Sequence, residues 1–299
     1  MSKLITPISE QVMVITGASS GIGLATAYAA AEQGARLVLV ARSEDILMNV
    51  VDLIIENGGE AMYVVADVSQ REELERVAQI AIERFGSIDT WVNNAGVSIY
   101  GRLDEVSDED HRRLFDINFW GVVYGSLVAL PHLIKSEGTL INLGSEVSEA
   151  VLPLQGMYSA TKHAVKGFTD ALRVEVQELD QAPISITLIQ PTAVNTPYPQ
   201  HAKNYMHKEP KLPTPQIDPA DVANAILEAA TSITHHIKVG MMSKVNTTLQ
   251  NLMSTLAEKM SAKQANRQQY AEAPRDPDGT LYAPSGDGHV HGSGGIVTH

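Results

Sequence analysis

Tyr158 and Lys162 stand four residues apart in QGMYSATKHAVKGFTDALRVEV, and on a helix residues four apart share one face. A phenol and an ammonium brought to one point make an acid–base pair, because the cation favours the phenolate and lowers a pKa that is about 10 for a free tyrosine. Such a pair can give a proton to an alkoxide, or take one from an alcohol, near neutral pH. Ser145, 13 residues upstream in NLGSEVS, adds a hydroxyl that can donate to an oxygen on which negative charge develops. YxxxK strings also arise by chance, so the pair gains meaning only from what accompanies it.

A second constellation lies near the N-terminus, where TGASSGIGLATAYAAAEQGA sets Gly17, Gly21 and Gly23, with Ser19, Ser20 and Ile22 between them, at the entrance to an alanine-rich helical pattern. A tight turn leaving a strand needs a residue without Cβ, and so does a backbone that must approach a pyrophosphate. The helix that follows offers unpaired N–H groups and the positive end of its dipole. The next apolar run ends Val40-Ala41-Arg42-Ser43. An NAD site commonly has a carboxylate here for the ribose 2′-OH, whereas a 2′-phosphate calls for arginine. With Arg42 present and the carboxylate missing, the reading is NADP(H) preferred, with NAD(H) as the alternative.

The elements that must position these groups follow from apolar patterning. VMVIT (12–16), RLVLVA (36–41), MYVVA (62–66), TWVNN (90–94), TLINL (139–143), ISITLIQ (184–190) and HIKVG (236–240) are short, β-rich runs separated by longer stretches of helical period. Near-continuous apolar strands alternating with helices predict an α/β fold, a doubly wound parallel sheet covered on both faces. Between 191 and 219 seven prolines, from Pro191 to Pro219, exclude a long helix and suggest a substrate loop or lid. Residues 241–273 carry Val245, Leu249, Leu252, Leu256 and Met260 at helical spacing, an amphipathic helix. From Pro274 to 299 the Gly, Pro, Asp and His content predicts a poorly ordered tail.

Bulk properties narrow the partners. The chain has 299 residues, 44% of them hydrophobic, and a formal net charge of −13. That is enough for one large α/β domain, and it disfavours a general nucleic-acid or anionic-membrane surface. Zero cysteines remove thiolate metal sites, disulfides and cysteine nucleophiles. The N-terminus has no secretory pattern and no stretch reaches a membrane-spanning apolar length, so a soluble cytoplasmic protein is expected. His289 and His291 in GHVHG and the scattered His111, His132 and His163 do not make a metal set, and none is assigned.

With TGASSGIG at 16–23, ADVS at 66–69, NNAG at 93–96, Asn118 in DINFWG, NLGS at 142–145 and YSATK at 158–162, the chain resembles the short-chain dehydrogenase/reductase family across about residues 10–240. The resemblance implies a single seven-stranded Rossmann domain over 1–240 with strand order 3-2-1-4-5-6-7. It implies Asn118, Ser145, Tyr158 and Lys162 as the catalytic tetrad. It further implies Asp67 and Val68 at the adenine, Asn93, Asn94, Ala95 and Gly96 along the cofactor groove, and Pro191, Thr192, Val194 and Thr196 at the nicotinamide. Two departures stand out, Pro191-Thr192 in place of Pro-Gly and Gly144 in place of serine, the second expected to open the pocket slightly. Homodimers or homotetramers are common in the family, and Val165, Phe168, Leu172 and Leu179 would form a helix-to-helix subunit contact.

A nicotinamide supplies a hydride to a carbonyl but not the proton the alkoxide then needs. Tyr158 would supply it, Lys162 would tune it, Ser145 would hold the oxygen and Asn118 would keep a water that connects Lys162 to solvent. For Asn118 the residues alone equally allow a buried asparagine that satisfies backbone groups. Val147, Leu152, Gln155, Tyr198 and Tyr205 are the expected wall and lid of a mainly apolar pocket for a carbonyl/alcohol substrate. The alternatives are a cofactor-binding regulatory or interaction protein without turnover, and epimerisation or dehydration of a nucleotide sugar.

Overall fold

Met13 and Ile15 face one side of the first strand and Val14 the other, and all five residues of that strand are buried. A strand apolar on both faces demands cover on both, and the fold supplies it. The structure is a computed structural model that describes residues 6–240, 261–263, 265, 268–286 and 288–292. Seven strands, β1 (Val12–Thr16), β2 (Arg36–Ala41), β3 (Glu60–Val65), β4 (Thr90–Asn93), β5 (Thr139–Leu143), β6 (Ser185–Pro191) and β7 (His236–Val239), form one parallel sheet in the order β3-β2-β1-β4-β5-β6-β7. This is the doubly wound Rossmann arrangement expected from the alternating pattern. A separate two-residue pairing of Ile99–Tyr100 with Lys203–Asn204 lies outside it.

Helices α1 (Gly21–Glu32), α2 (Glu44–Glu56) and, later in the chain, one at Pro219–Ala230 pack on the face that holds Ile15, Leu39, Val92 and Ile141. On the opposite face α3 (Arg71–Phe85), α4 (Asp108–Phe115), α5 (Gly121–Ser136) and α6 (Gly156–Arg173) cover Val14, Val38, Trp91 and Leu140. Each of the fully buried Val, Leu and Ile side chains among these stabilises the fold by about 1.5–3 kcal/mol relative to exposure. The helix at Pro219–Ala230, α7, starts as its sequence dictates: the Asp218 side chain accepts the Ala220 N–H at 2.9 Å and proline takes the first turn, where no N–H is needed.

Between α4 and α5 the helix widens into a π turn, Asp116–Trp120, which carries Asn118. The stretch Asp108–Ser136 is long and apolar enough to cross a membrane by length and composition, but 56% of its apolar window is buried inside the fold, as befits a core helix.

Two expectations need correction, and a third falls outside the described residues. Val165 and Leu172 do not form a subunit contact surface: they are buried in the chain's own core, because α6 lies flat on the sheet, and Phe168 packs beside them. Only Leu179 of that set is strongly exposed. The described part of the chain from Pro274, residues 274–286 and 288–292, lies against the fold: Leu281 is fully buried in the core and Val290 packs against the other face. The amphipathic helix positions Val245, Leu249, Leu252, Leu256 and Met260 lie outside the described residues.

Candidate active site

β1 leaves the sheet through Gly17 in a left-handed turn (φ 67°), a conformation that favours glycine, and a Cβ there would sit 2.7 Å from the Ala95 Cα. At Gly23 a Cβ would fall 2.2 Å from the Gly17 carbonyl oxygen, so the first turn of α1 can press against the loop. Asn94 fastens the loop after β4 to it: its Nδ2 donates to Thr16 O at 2.9 Å and Gly17 O at 3.2 Å, while its own N–H donates to the Thr16 hydroxyl. The result is a flat glycine shelf at the C-terminal ends of β1 and β4, the edge at which open α/β sheets take ligands.

A single cavity of about 250 Å³ runs from this shelf to the end of α6. It is lined by Gly17, Ser19, Ser20, Gly21 and Ile22 at one end and by Ser145, Tyr158 and Lys162 at the other. Arg42, Asp67, Val68, Asn94, Ala95, Gly96, Pro191, Thr192, Val194 and Thr196 lie along it. Gly23 supports the shelf from behind.

Ser145 caps a short 3-10 turn after β5, its Oγ accepting the Val147 N–H at 3.3 Å. Tyr158 and Lys162 project from the first turns of α6, with the Tyr158 hydroxyl close to those of Tyr198 and Ser145. Burial pushes the Tyr158 phenol up to about 12, with the Tyr198 and Ser145 hydroxyls opposing the rise and the Glu146 carboxylate adding to it. Burial pulls the Lys162 ammonium down to about 8. The helical spacing does bring the pair together, but desolvation rather than mutual attraction governs both groups.

Comparison with known proteins decides the family. A sequence profile of the short chain dehydrogenase family matches residues 11–206. The chain belongs to the short-chain dehydrogenases. Across 273 residues, 90% of this chain and 76% of the relative, it is 42% identical to the uncharacterized oxidoreductase YxnA of Bacillus subtilis. The fold is shared with a short chain dehydrogenase/reductase from Burkholderia phymatum in complex with NAD (TM-score 0.73, 27% identity, 89% of this chain and 97% of that one). It is shared also with an alcohol dehydrogenase from the archaeon Thermococcus sibiricus complexed with 5-hydroxy-NADP (TM-score 0.67, 28% identity, 77% and 95%).

In this short-chain dehydrogenase not every residue implied by the resemblance faces the cleft. Asn93 turns inward, where its Oδ1 accepts the Trp91 indole N–H at 2.8 Å and its Nδ2 donates to Asn142 Oδ1 at 2.9 Å and Ser126 Oγ at 3.1 Å. It ties β4 to β5 and α5 instead of lining the groove. Asn118 is fully buried, accepting the Val97 N–H and donating to the Val97 carbonyl, both at 2.9 Å. Its side chain therefore does the backbone-satisfying work that the residues alone allowed.

Val147, Leu152, Gln155 and Tyr198 line the same cavity as Tyr158, whereas Tyr205 does not. Its hydroxyl is held by Asp110 Oδ2 at 2.6 Å, behind the Ile99–Tyr100 pairing. Gly144 does not widen the cavity, because a Cβ there would point at Ser148 Oγ (2.9 Å) and Leu188 Cδ1 (3.1 Å). Thr192, in the glycine position of the family turn, is fixed by a 3.2 Å hydrogen bond from its hydroxyl to Glu146 Oε2.

Two contributors escaped the sequence reading. Arg113 binds the Asp67 carboxylate and donates to Ser69 Oγ at 2.6 Å. Burial raises the Asp67 pKa, but the hydrogen bonds from Arg113 and Ser69 outweigh it and leave the carboxyl below its ordinary value. Gln268 reaches Gln155 Oε1's neighbour nitrogen from far along the chain, the Gln155 Nε2 donating to Gln268 Oε1 at 2.9 Å. The DEDHRRLF pattern marks Arg113 only as a helix residue, and nothing in the local sequence marks Gln268. Among the described residues no cluster of three His, Asp or Glu side chains could hold a metal.

Proposed function

We propose that this short-chain dehydrogenase is an NADP(H)-dependent oxidoreductase that interconverts a carbonyl and a secondary alcohol, with Tyr158 as general acid and base. The observation that carries the reading is one continuous cavity with a glycine shelf and Arg42 at one end and Ser145, Tyr158 and Lys162 at the other. Gly17 and Gly23, where a Cβ would collide with the loop, fit a dinucleotide pyrophosphate, and a β2 end carrying Arg42 and no carboxylate fits a 2′-phosphate. Gly17–Ile22 and Arg42 would hold the phosphates, and Thr192, Val194 and Thr196 would flank the nicotinamide. When bound, that group supplies or accepts the hydride.

The protein's own groups handle the oxygen and the proton. Ser145 donates to the substrate oxygen and steadies its developing charge. Tyr158, neutral at physiological pH, is poised to give its proton in the reductive direction. Lys162, held by a 2.8 Å hydrogen bond to Leu143 O, keeps a positive charge beneath the phenol ring and stabilises the phenolate when the proton has left. Asn118, on its π turn beside Gly96, completes the tetrad by holding the Val97 backbone that lines the cleft, with proton resupply through water nearby.

Val147, Leu152, Tyr198, Leu212 and Pro213 make an apolar substrate wall, and Gln155 is its polar anchor. The protein works in the cytoplasm as a homodimer or homotetramer, joined through the exposed stripe of Trp120, at the end of the π turn, and Leu127 and Ile134 of α5. NADPH oxidation across a panel of ketones and aldehydes, with Tyr158→Phe as control, tests the reading. Turnover by the native chain and its loss in the variant are expected. Cofactor binding without turnover on any carbonyl would favour a regulatory, non-catalytic role.

A further inference from the structure

The segment Gly279–Gly292, described at all its residues but 287, is laid across the mouth of the cofactor cleft. It starts on the lid, where Thr280 N–H donates to His201 O at 2.8 Å and Gly279 takes a left-handed conformation (φ 55°) against the Ala202 backbone. It then passes the end of β2. Arg42, the guanidinium that suits a 2′-phosphate, donates to the carbonyls of Thr280 and Leu281, and Arg113 Nε donates to Leu281 O at 3.3 Å. The Ser43 hydroxyl donates to Ser285 O at 2.9 Å.

Beyond Ser285 the chain crosses the glycine shelf itself. The Gly21 N–H, at the N-terminus of α1, donates to His289 O at 2.9 Å, and His291 pairs with Asp218 at 3.0 Å on the far side. Thr280, Pro284 and Ser285 line the same cavity as Gly21, Arg42 and Tyr158. Thus a guanidinium and a backbone amide suited to phosphate both point at carbonyls of one strap, and that strap bounds the space a dinucleotide would fill.

We infer that Gly279–Gly292 is an exchange gate and outer wall for the adenosine half of the dinucleotide site: it must lift for the cofactor to enter, and it closes again over the bound cofactor. The inference rests on the proposed dinucleotide site. Leu281, buried in the core, and Gly279 serve as the fixed end of the strap, and the Ser285–Gly292 half is the part that lifts, because none of its described residues is buried and it is held by hydrogen bonds at Ser285, His289 and His291 and by the partly buried Val290. A cofactor that can leave only through this opening is kept between turnovers, so the gate sets the rate of exchange rather than the chemistry.

The test exploits a chain without cysteine. A Cβ built at Gly288 lies 3.8 Å from the Ile46 Cβ, the separation of about 3.8 Å that a disulfide requires. Ile46→Cys with Gly288→Cys, oxidised with diamide, therefore pins the strap to α2. Stopped-flow NADPH fluorescence is recorded on the same protein oxidised and reduced, and on a chain ending at Asp278.

Oxidation is expected to slow both association and release at least tenfold, with recovery on reduction, and the shortened chain is expected to speed both. Rates unchanged by a cross-link verified by mass spectrometry overturn the gate. Faster association with unchanged release in the shortened chain would make the strap a mere competitor, and overturn closure over the bound cofactor. No NADPH or NADH binding by the reduced, full-length protein would instead remove the dinucleotide site on which the inference stands.

Discussion

The Lys162 ammonium donates to the Leu143 carbonyl at 2.8 Å while lying 5.7 Å from the centroid of the Tyr158 ring. The lysine is thus anchored to the end of β5 first, and in the proposed reaction it serves the phenol through its charge. Because it is buried, its pKa falls from an ordinary 10.5 to about 8, and the folded chain binds fewer protons than the unfolded chain between those values. Stability from this group is then absent below pH 8 and gained as pH rises towards 10.5. Chemical denaturation of the native chain and Lys162→Met across pH 7–10.5 should show the difference moving in favour of the native chain, by up to about 3 kcal/mol. A difference that is constant over that range would contradict the buried, depressed lysine.

Tyr158→Phe removes the proposed proton donor and keeps the ring, whose centroid lies 5.4 Å from that of Tyr198 in an edge-on contact. The expected result is a kcat reduced about 10²–10⁴-fold with cofactor affinity preserved. Calorimetric titration with NADPH alongside steady-state rates separates the two quantities. Equal loss of binding and turnover would mean the ring, not the hydroxyl, was what mattered.

Arg42→Ala should weaken NADPH binding about tenfold to a hundredfold, the worth of one or two hydrogen bonds to a charged group, and leave NADH nearly unaffected. Parallel Kd measurements for both cofactors check this. If the two affinities change alike, the guanidinium is a holder of the Thr280 and Leu281 carbonyls and not a phosphate reader.

Asn118→Ala strands both polar groups of the Val97 backbone inside the core, since the side chain bonds each of them at 2.9 Å. A stability loss of about 2–4 kcal/mol is expected from urea unfolding, appearing together with reduced turnover. Full stability with lost activity would show that the side chain has a chemical task and little structural one.

Much of this site was legible because the chemistry is local in sequence. Gly17, Gly21 and Gly23 sit on one turn, and Tyr158 and Lys162 on one helical face, so spacing alone brings each set together. The strands were legible for the same reason, β1 and β5 being apolar at most of their buried positions. Where the reading failed, the partner was distant. Asn93 turns inward because Ser126 and Asn142, on α5 and β5, offer it bonds that local pattern does not announce. Tyr205 is claimed by Asp110, 95 residues away. The strap was invisible because its contacts with Arg42 and Gly21 are made by backbone carbonyls, which every residue has, and because its composition is that of an unstructured tail.

Gln268 is a residue of the pocket's support, bound to Gln155 and to the Pro153 carbonyl at 2.8 Å. It lies past residue 206, where the match to the family profile ends. The matched part of the chain thus carries Ser145, Tyr158 and Lys162, while one brace of the proposed substrate chamber is written in a stretch outside that match. Two relatives alike through residue 206 can differ in what they accept, and inheritance of a substrate along this lineage is to be judged on the last third of the chain.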